Sequence, residues 1–285
     1  MFKIAYCAGH DLSTPGKRVP APLDEAQTRE WVLNDRIADG FAEAAAQYPQ
    51  VELLRTDDPL GLTTVPIAKR PEKANIWGAE LYLDMHHNGG IHLGKGGGLT
   101  VFSYPGSQRG AAYRDGLYHA LIGAGAPKGN RSQPLREKKY LTLSKTKMPA
   151  VLIEYGFMDS PEDWTVISQP DYGVRMGAAT MEAVAAAAGL RKESRRQWFL
   201  RQLTELCGDT LPTLSAVKNR THRAVKPVQQ RLWQLGYTQV GEADGIAGKK
   251  FTAAVKAFQK DKGCVSDGEL TAGGKSWKKL MEAEG

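Results

Sequence analysis

Through the first two thirds of the chain, short apolar runs alternate with longer stretches in which apolar residues return every three to four positions. The runs KIAYC (3–7), VELLR (51–55), ELYLDM (80–85), LTVFSY (99–104) and AVLIEY (150–155) predict strands. The stretches over about 25–47, 64–77, 107–122 and 171–188 predict helices. Between them, GKGGG (94–98) and GAPKGNRSQ (125–133) read as loops. Strands alternating with helices predict an α/β domain over residues 1–189, a largely parallel twisted sheet flanked by helices.

The pattern changes after residue 190. Residues 190–222 are charged and then mixed, with one helix expected over 197–206, and read as a linker or a degenerate half-module. Residues 223–285 read as a separate small unit with helical spacing. In FTAAVKAFQ, Phe251, Ala254, Val255 and Phe258 form an apolar stripe, and the steps ADG and SDG mark turns before helices as a weak internal repeat. A unit of this size has only a small core, so Trp233, Trp277 and Tyr237 are expected to pack, with Tyr237 kept as a candidate sugar or peptide contact if it is exposed.

Composition adds a charge asymmetry. Residues 1–190 carry 20 Lys and Arg against 21 Asp and Glu, and the remainder 18 against 10, so the formal net charge of +7 resides in the tail. Such a tail suits a polyanion, either nucleic acid or anionic cell-wall polymer. No base-stacking motif or recognition-helix pattern accompanies the charge, which argues against nucleic acid. Three scattered cysteines without CxxC spacing predict neither a disulfide framework nor a thiolate zinc site. The first residues lack the apolar run of a signal peptide, and no stretch is long enough to span a membrane. The expectation is a chain made in the cytoplasm, without a membrane partner; the sequence leaves oligomeric state open.

The chemistry-bearing residues fall at strand ends, where ligands sit in parallel sheets. His10 follows the first strand, His86 and His87 follow the third, and Glu154 ends the fifth. Glu30 and Asn34 share a face of the first long helix. Two imidazoles and a carboxylate suit zinc, and a second carboxylate beside them could move a proton. Taken singly, His10 and Glu30 read as ordinary polar residues, as do His92, His119 and His222. Glu154 stands apart, because a carboxylate ending the apolar run PAVLI must be paired, solvated or working.

Residues 1–188 resemble the zinc-dependent N-acetylmuramoyl-L-alanine amidases of the amidase-3 type, found in bacterial cell-wall hydrolases and phage endolysins. The resemblance rests on six ordered motifs: AGH, EWVLN, LLRTDD, KRPEKAN, DMHHN and PAVLIEYGFMDSPED. It implies Zn2+ held by His10, Glu30 and His86, with Glu154 as catalytic acid/base for cleavage between the lactyl group of N-acetylmuramic acid and L-alanine. It places His87 in the cleft or beneath it, Asn34 and Asn88 as supporting residues, and Tyr155 as a candidate groove residue. The loop between the first two ligands lacks the family's usual Gly-Gly. Asp84 stands where the family usually has serine or another small residue.

VQQRLWQLGY, ADGIAGKKFTAAVKAFQKDKG and SDGELTAGGKSWKKL resemble a peptidoglycan-binding domain of the three-helix type, implying a small all-α fold over 223–285 and peptidoglycan and anionic wall polymer as partners. A lytic domain before a wall-binding one is expected of a phage or prophage endolysin, released through a holin. A bacterial autolysin or sporulation amidase is the alternative biology. A zinc peptidase or deacetylase acting on wall material, and a wall-binding protein without catalysis, are the alternative chemistries.

Overall fold

The computed structural model describes residues 1–284, which form two compact units, 1–192 and 193–284. No helix among the described residues is long and apolar enough to cross a membrane.

The first unit is built on strands β1 (Phe2–Ala8), β2 (Val51–Arg55), β3 (Leu81–Asn88), β4 (Thr100–Ser103), β5 (Leu135–Glu137) and β6 (Ala150–Phe157). They form one sheet in the order β2-β1-β3-β6-β4-β5. The β2-β1-β3-β6 part is parallel, β4 runs antiparallel to β6, and β5 runs parallel to β4. The central strands read as unbroken apolar runs because both faces are covered. On one face Ile4, Leu83, Met85, Val151 and Ile153 pack under α1 (Glu30–Ala45), α3 (Gln108–Gly123) and α6 (Tyr172–Ala188). On the other, Ala5, Cys7, Tyr82 and Leu152 pack under α2 (Lys69–Trp77) and α4 (Leu141–Ser144). Helices α1 and α6 meet closely, since a Cβ on Gly177 would stand 2.3 Å from the Phe41 nitrogen.

Several boundaries differ from the sequence pattern. The helix expected from residue 25 begins at Glu30, because Gln27 takes φ +48 and Asp24 accepts from the Thr28 nitrogen at 2.8 Å, closing a turn first. The helix expected from 64 begins at Lys69, after Pro66. The short elements β5, α4 and α5 (Pro161–Ile167) were absent from the expected set. Strand β6 carries an irregularity: His86 pairs with Glu154 and Asn88 with Phe157, so three residues of β6 oppose two steps of β3. Gly156, at φ +134, absorbs this bulge.

The second unit holds α7 (Arg195–Cys207), α8 (Val225–Gln234), a 3-10 turn (Thr238–Val240), α9 (Lys249–Asp261) and α10 (Lys275–Glu282). The predicted three helices are α8, α9 and α10. The stretch read as linker or half-module contains α7, whose Phe199 and Leu203 are buried in this unit's core with Leu232, Phe251, Phe258 and Trp277. Helix α7 starts with a full capping box between Ser194 and Gln197.

The two Asp-Gly steps are repeats in three dimensions as well. Gln229 of α8 donates through Nε2 to Asp244 at 2.8 Å and accepts from the Gly245 nitrogen at 2.8 Å. Gln259 of α9 does the same with Asp267 at 2.7 Å and Gly268 at 2.8 Å. In each copy a buried helix glutamine holds the loop that follows its helix.

Candidate active site

The site lies where β1, β3 and β6 end together. The ladder between β1 and β3 extends one step beyond β1, with the Gly9 nitrogen donating to the Met85 carbonyl at 2.8 Å. His10 then turns out of the strand at φ +68. That uncommon backbone is held from two sides. Asn34 Nδ2 donates to the Gly9 carbonyl at 3.1 Å, and Arg70 donates to the carbonyls of Ala8 at 3.2 Å and His10 at 2.8 Å. Gly9 must lack a side chain, since a Cβ there would stand 2.0 Å from His86 Cε1.

Glu30, the first residue of α1, is buried and enters from above the strand ends. Its Oε1 lies 3.3 Å from His10 Nε2 and 3.0 Å from His86 Nδ1, and Oε2 lies 3.5 Å from Lys17 Nζ. Ligand atoms of His10, Glu30 and His86 all fall within 4.8 Å of one another. Glu25, the other glutamate in the stretch expected to be this helix, is exposed and outside it. Burial pushes the Glu30 carboxyl up, but hydrogen bonds and charge from His10 and His86 outweigh it and hold the group well below the usual carboxylate range. Burial likewise opposes charge on His86, yet Asp84 and Glu30 hold its imidazole well above the ordinary histidine value. Two carboxylates thus flank one imidazole, with the Lys17 ammonium on the far side of Glu30. Two ring nitrogens and a carboxylate, with Glu30 Oε2 buried and lacking a hydrogen-bond partner, fit a zinc ion.

Glu154 stands beside this cluster. It is the direct neighbour of His86 across the β3-β6 ladder and of Thr100 across the β4-β6 ladder. Its Oε2 is buried without a hydrogen-bond partner, and burial raises its carboxyl to about 7, with His86 and Lys17 pulling down and Glu30 pushing up. A carboxyl that exchanges its proton near neutrality is suited to general acid and base work.

The remaining expected residues divide by face. His87 points into the α1 side of the sheet, buried, with Nδ1 2.8 Å from Asn34 Oδ1 and its ring near Tyr155 and Tyr172. Burial pulls it down to about 3, so it is neutral and packs beneath the site. Asn34 thus joins His87 to the Gly9 carbonyl. Asn88 half-faces solvent, accepts from the Gly89 nitrogen at 2.9 Å, and takes the Met158 nitrogen on its carbonyl at 2.8 Å. Tyr155 does not line the groove: it is fully buried on the helix side, with its hydroxyl 2.8 Å from that of Thr180. Strand alternation separates it from Glu154. Tyr237 is not an exposed contact either, because its ring packs on Phe258 and its hydroxyl donates to Asp261 at 2.9 Å. Trp277 is buried, whereas Trp233 is 55% exposed.

Four contributors escaped the sequence reading in part or whole. Arg70 appears there only inside a motif, and Asp84 only as a departure. Lys17 sits in an irregular loop and Thr100 in an ordinary strand, and neither carries a local signal. The loop after β3 forms a fixed wall, its Gly90, Ile91 and His92 nitrogens all donating to Asp159 Oδ2 at 2.7–2.8 Å. Asp163, behind it, accepts from Gly98 at 2.7 Å and Phe157 at 2.8 Å, tying this loop to the end of β6.

Residues 4–186 match the Amidase_3 family, described as N-acetylmuramoyl-L-alanine amidase, and residues 221–273 match a peptidoglycan binding domain, PG_binding_1. The N-acetylmuramoyl-L-alanine amidase CwlM of Bacillus licheniformis is 28% identical over 196 residues, covering 68% of this chain and 72% of that protein. The "Probable cell wall amidase LytH" of Staphylococcus aureus is 35% identical over 117 residues, covering 41% of this chain and 35% of that one. Among solved structures, the catalytic domain of the amidase CwlV from Bacillus (Paenibacillus) polymyxa var. colistinus superposes with a TM-score of 0.59 at 17% identity. That superposition covers 67% of this chain and all of that domain, and shows a common fold.

Proposed function

This chain belongs to the Amidase_3 family of N-acetylmuramoyl-L-alanine amidases, and from that premise we propose that it cleaves the lactyl–L-alanine amide of peptidoglycan, using zinc at His10, Glu30 and His86 and Glu154 as general acid/base. The observation that carries the reading is the buried, unpartnered Oε2 of Glu154, whose carboxyl is raised to about 7, beside a converging His-Glu-His set. When bound, zinc supplies Lewis acidity, activating water and stabilising negative charge on the carbonyl oxygen.

The chain's own residues do the rest. Glu154, ionised, accepts a proton from the attacking water; protonated, it returns that proton to the departing L-alanine nitrogen. His10 is held in place through its backbone by Arg70. The second unit supplies the hold on the wall, consistent with its match to a peptidoglycan-binding domain.

Digestion of purified peptidoglycan, with and without chelator, followed by mass spectrometry of the products, tests the reaction. Stem peptides with a free L-alanine amino terminus, lost on chelation and in Glu154→Ala, are expected. Cuts inside the stem peptide or new glycan reducing ends would overturn the assignment. The biological setting that goes with this reading is lysis by a phage or prophage endolysin passing through a holin, with a bacterial autolysin as the alternative. Expression with and without a holin separates them: lysis without one removes the endolysin reading.

A further inference from the structure

Beneath the His-Glu-His set lies a buried polar cluster that the reaction does not use directly. Asp84 is two residues before His86 on β3, hence on the same face of the sheet, and is 1% exposed. Its Oδ1 lies 3.3 Å from His86 Nε2, the ring nitrogen opposite the one that faces Glu30. The Cys7 thiol donates to the same oxygen at 2.9 Å. The Tyr82 hydroxyl in turn donates to Cys7 Sγ at 3.3 Å, and Arg70 Nη1 approaches that sulfur at 3.7 Å. The same guanidinium grips the His10 carbonyl at 2.8 Å through Nη2. One connected group, Asp84-Cys7-Arg70, therefore touches the imidazole of one histidine and the backbone of the other.

We infer that Asp84 is a positioning residue for the metal centre: it fixes the ring angle and tautomer of His86, so that Nε2 carries the proton and Nδ1 is left to the metal. The inference rests on the zinc reading above. A carboxylate behind a ligating histidine orients the ring and increases its basicity, and removing such a partner typically weakens metal binding about 10- to 100-fold. Cys7 and Arg70 link that carboxylate to the His10 turn, since Cys7 bonds Asp84, Arg70 bonds the His10 carbonyl, and the two touch each other.

The test is zinc affinity of the full chain, measured by competition with a chromophoric chelator after the metal has been stripped. Wild type, Asp84→Ser and Asp84→Asn are compared, with the absorption spectrum of the Co2+-substituted forms as a second readout. Asp84→Ser is expected to bind zinc 10- to 100-fold more weakly with an altered cobalt spectrum. Asp84→Asn keeps an acceptor oxygen and the side-chain shape, and is expected to recover part of the affinity and most of the spectrum. It also serves if the serine variant does not fold. Wild-type affinity and spectra in both variants would overturn the positioning role, whereas failure of the wild type itself to bind zinc would overturn the zinc reading instead.

Discussion

At the scale of single residues, Glu154 is where burial and chemistry conflict. A carboxyl raised from the ordinary value to about 7 favours the folded state while protonated, and that stability disappears as pH rises through the folded value. Without zinc, the wild type should therefore lose up to about 3 kcal/mol between pH 4.5 and 8 from this group alone, at 1.36 kcal/mol per unit. Glu154→Gln removes the effect. Denaturant melts under chelator should show the variant equal to wild type at pH 4.5 and more stable at pH 8. Equal stability at both values would show that the carboxyl is not held up by burial. Glu154 was legible because its apolar run announces burial. Lys17 was not, because nothing local marks a loop lysine that reaches Glu30 only after folding.

At the scale of elements, the sequence announces what repeats and hides what is short. Five of the six strands and the long helices carry enough apolar positions to be predicted, the strands with ends up to three residues away from those observed. Strand β5 has three residues and one half-buried leucine, too few for any period. Helix α5 carried a readable start, Ser160 as N-cap with Pro161 after it, but sits within a motif that drew attention to Glu154. The Asp-Gly repeat was visible as text, while its glutamines were not, since only the fold shows that Gln259 satisfies the loop ahead. Gln259→Ala leaves the buried Gly268 nitrogen without its partner and removes the bonds to Asp267 and to the Glu269 carbonyl. The second unit should lose about 3 kcal/mol, read as a lower melting transition for that unit. An unchanged transition would mean that the loop holds itself.

At the scale of the molecule, charge separates the two units. Glu193–Gly285 carries 16 basic against 10 acidic residues, and Met1–Lys192 is nearly balanced at 22 against 21. If the second unit meets an acidic wall, retention of the full chain on purified walls should fall as salt rises, because exposed charges are screened within about 10 Å at 0.1 M. Walls stripped of anionic polymer should show lower retention and a flatter salt response. Salt-independent retention on both would assign the hold to uncharged contacts alone, with the exposed Trp233 the first residue to examine.

His10, Glu30 and His86 come from the end of one strand, the start of a helix and the end of another strand. The set exists only when all three elements are docked, so an ion captured there binds the folded chain and not the unfolded one. By mass action, free zinc at 100 times its dissociation constant would add about 2.7 kcal/mol to the stability of the catalytic unit. The supply of zinc then governs how long the protein lasts as well as how fast it works, and a chain starved of the metal would become easier for proteases to clear.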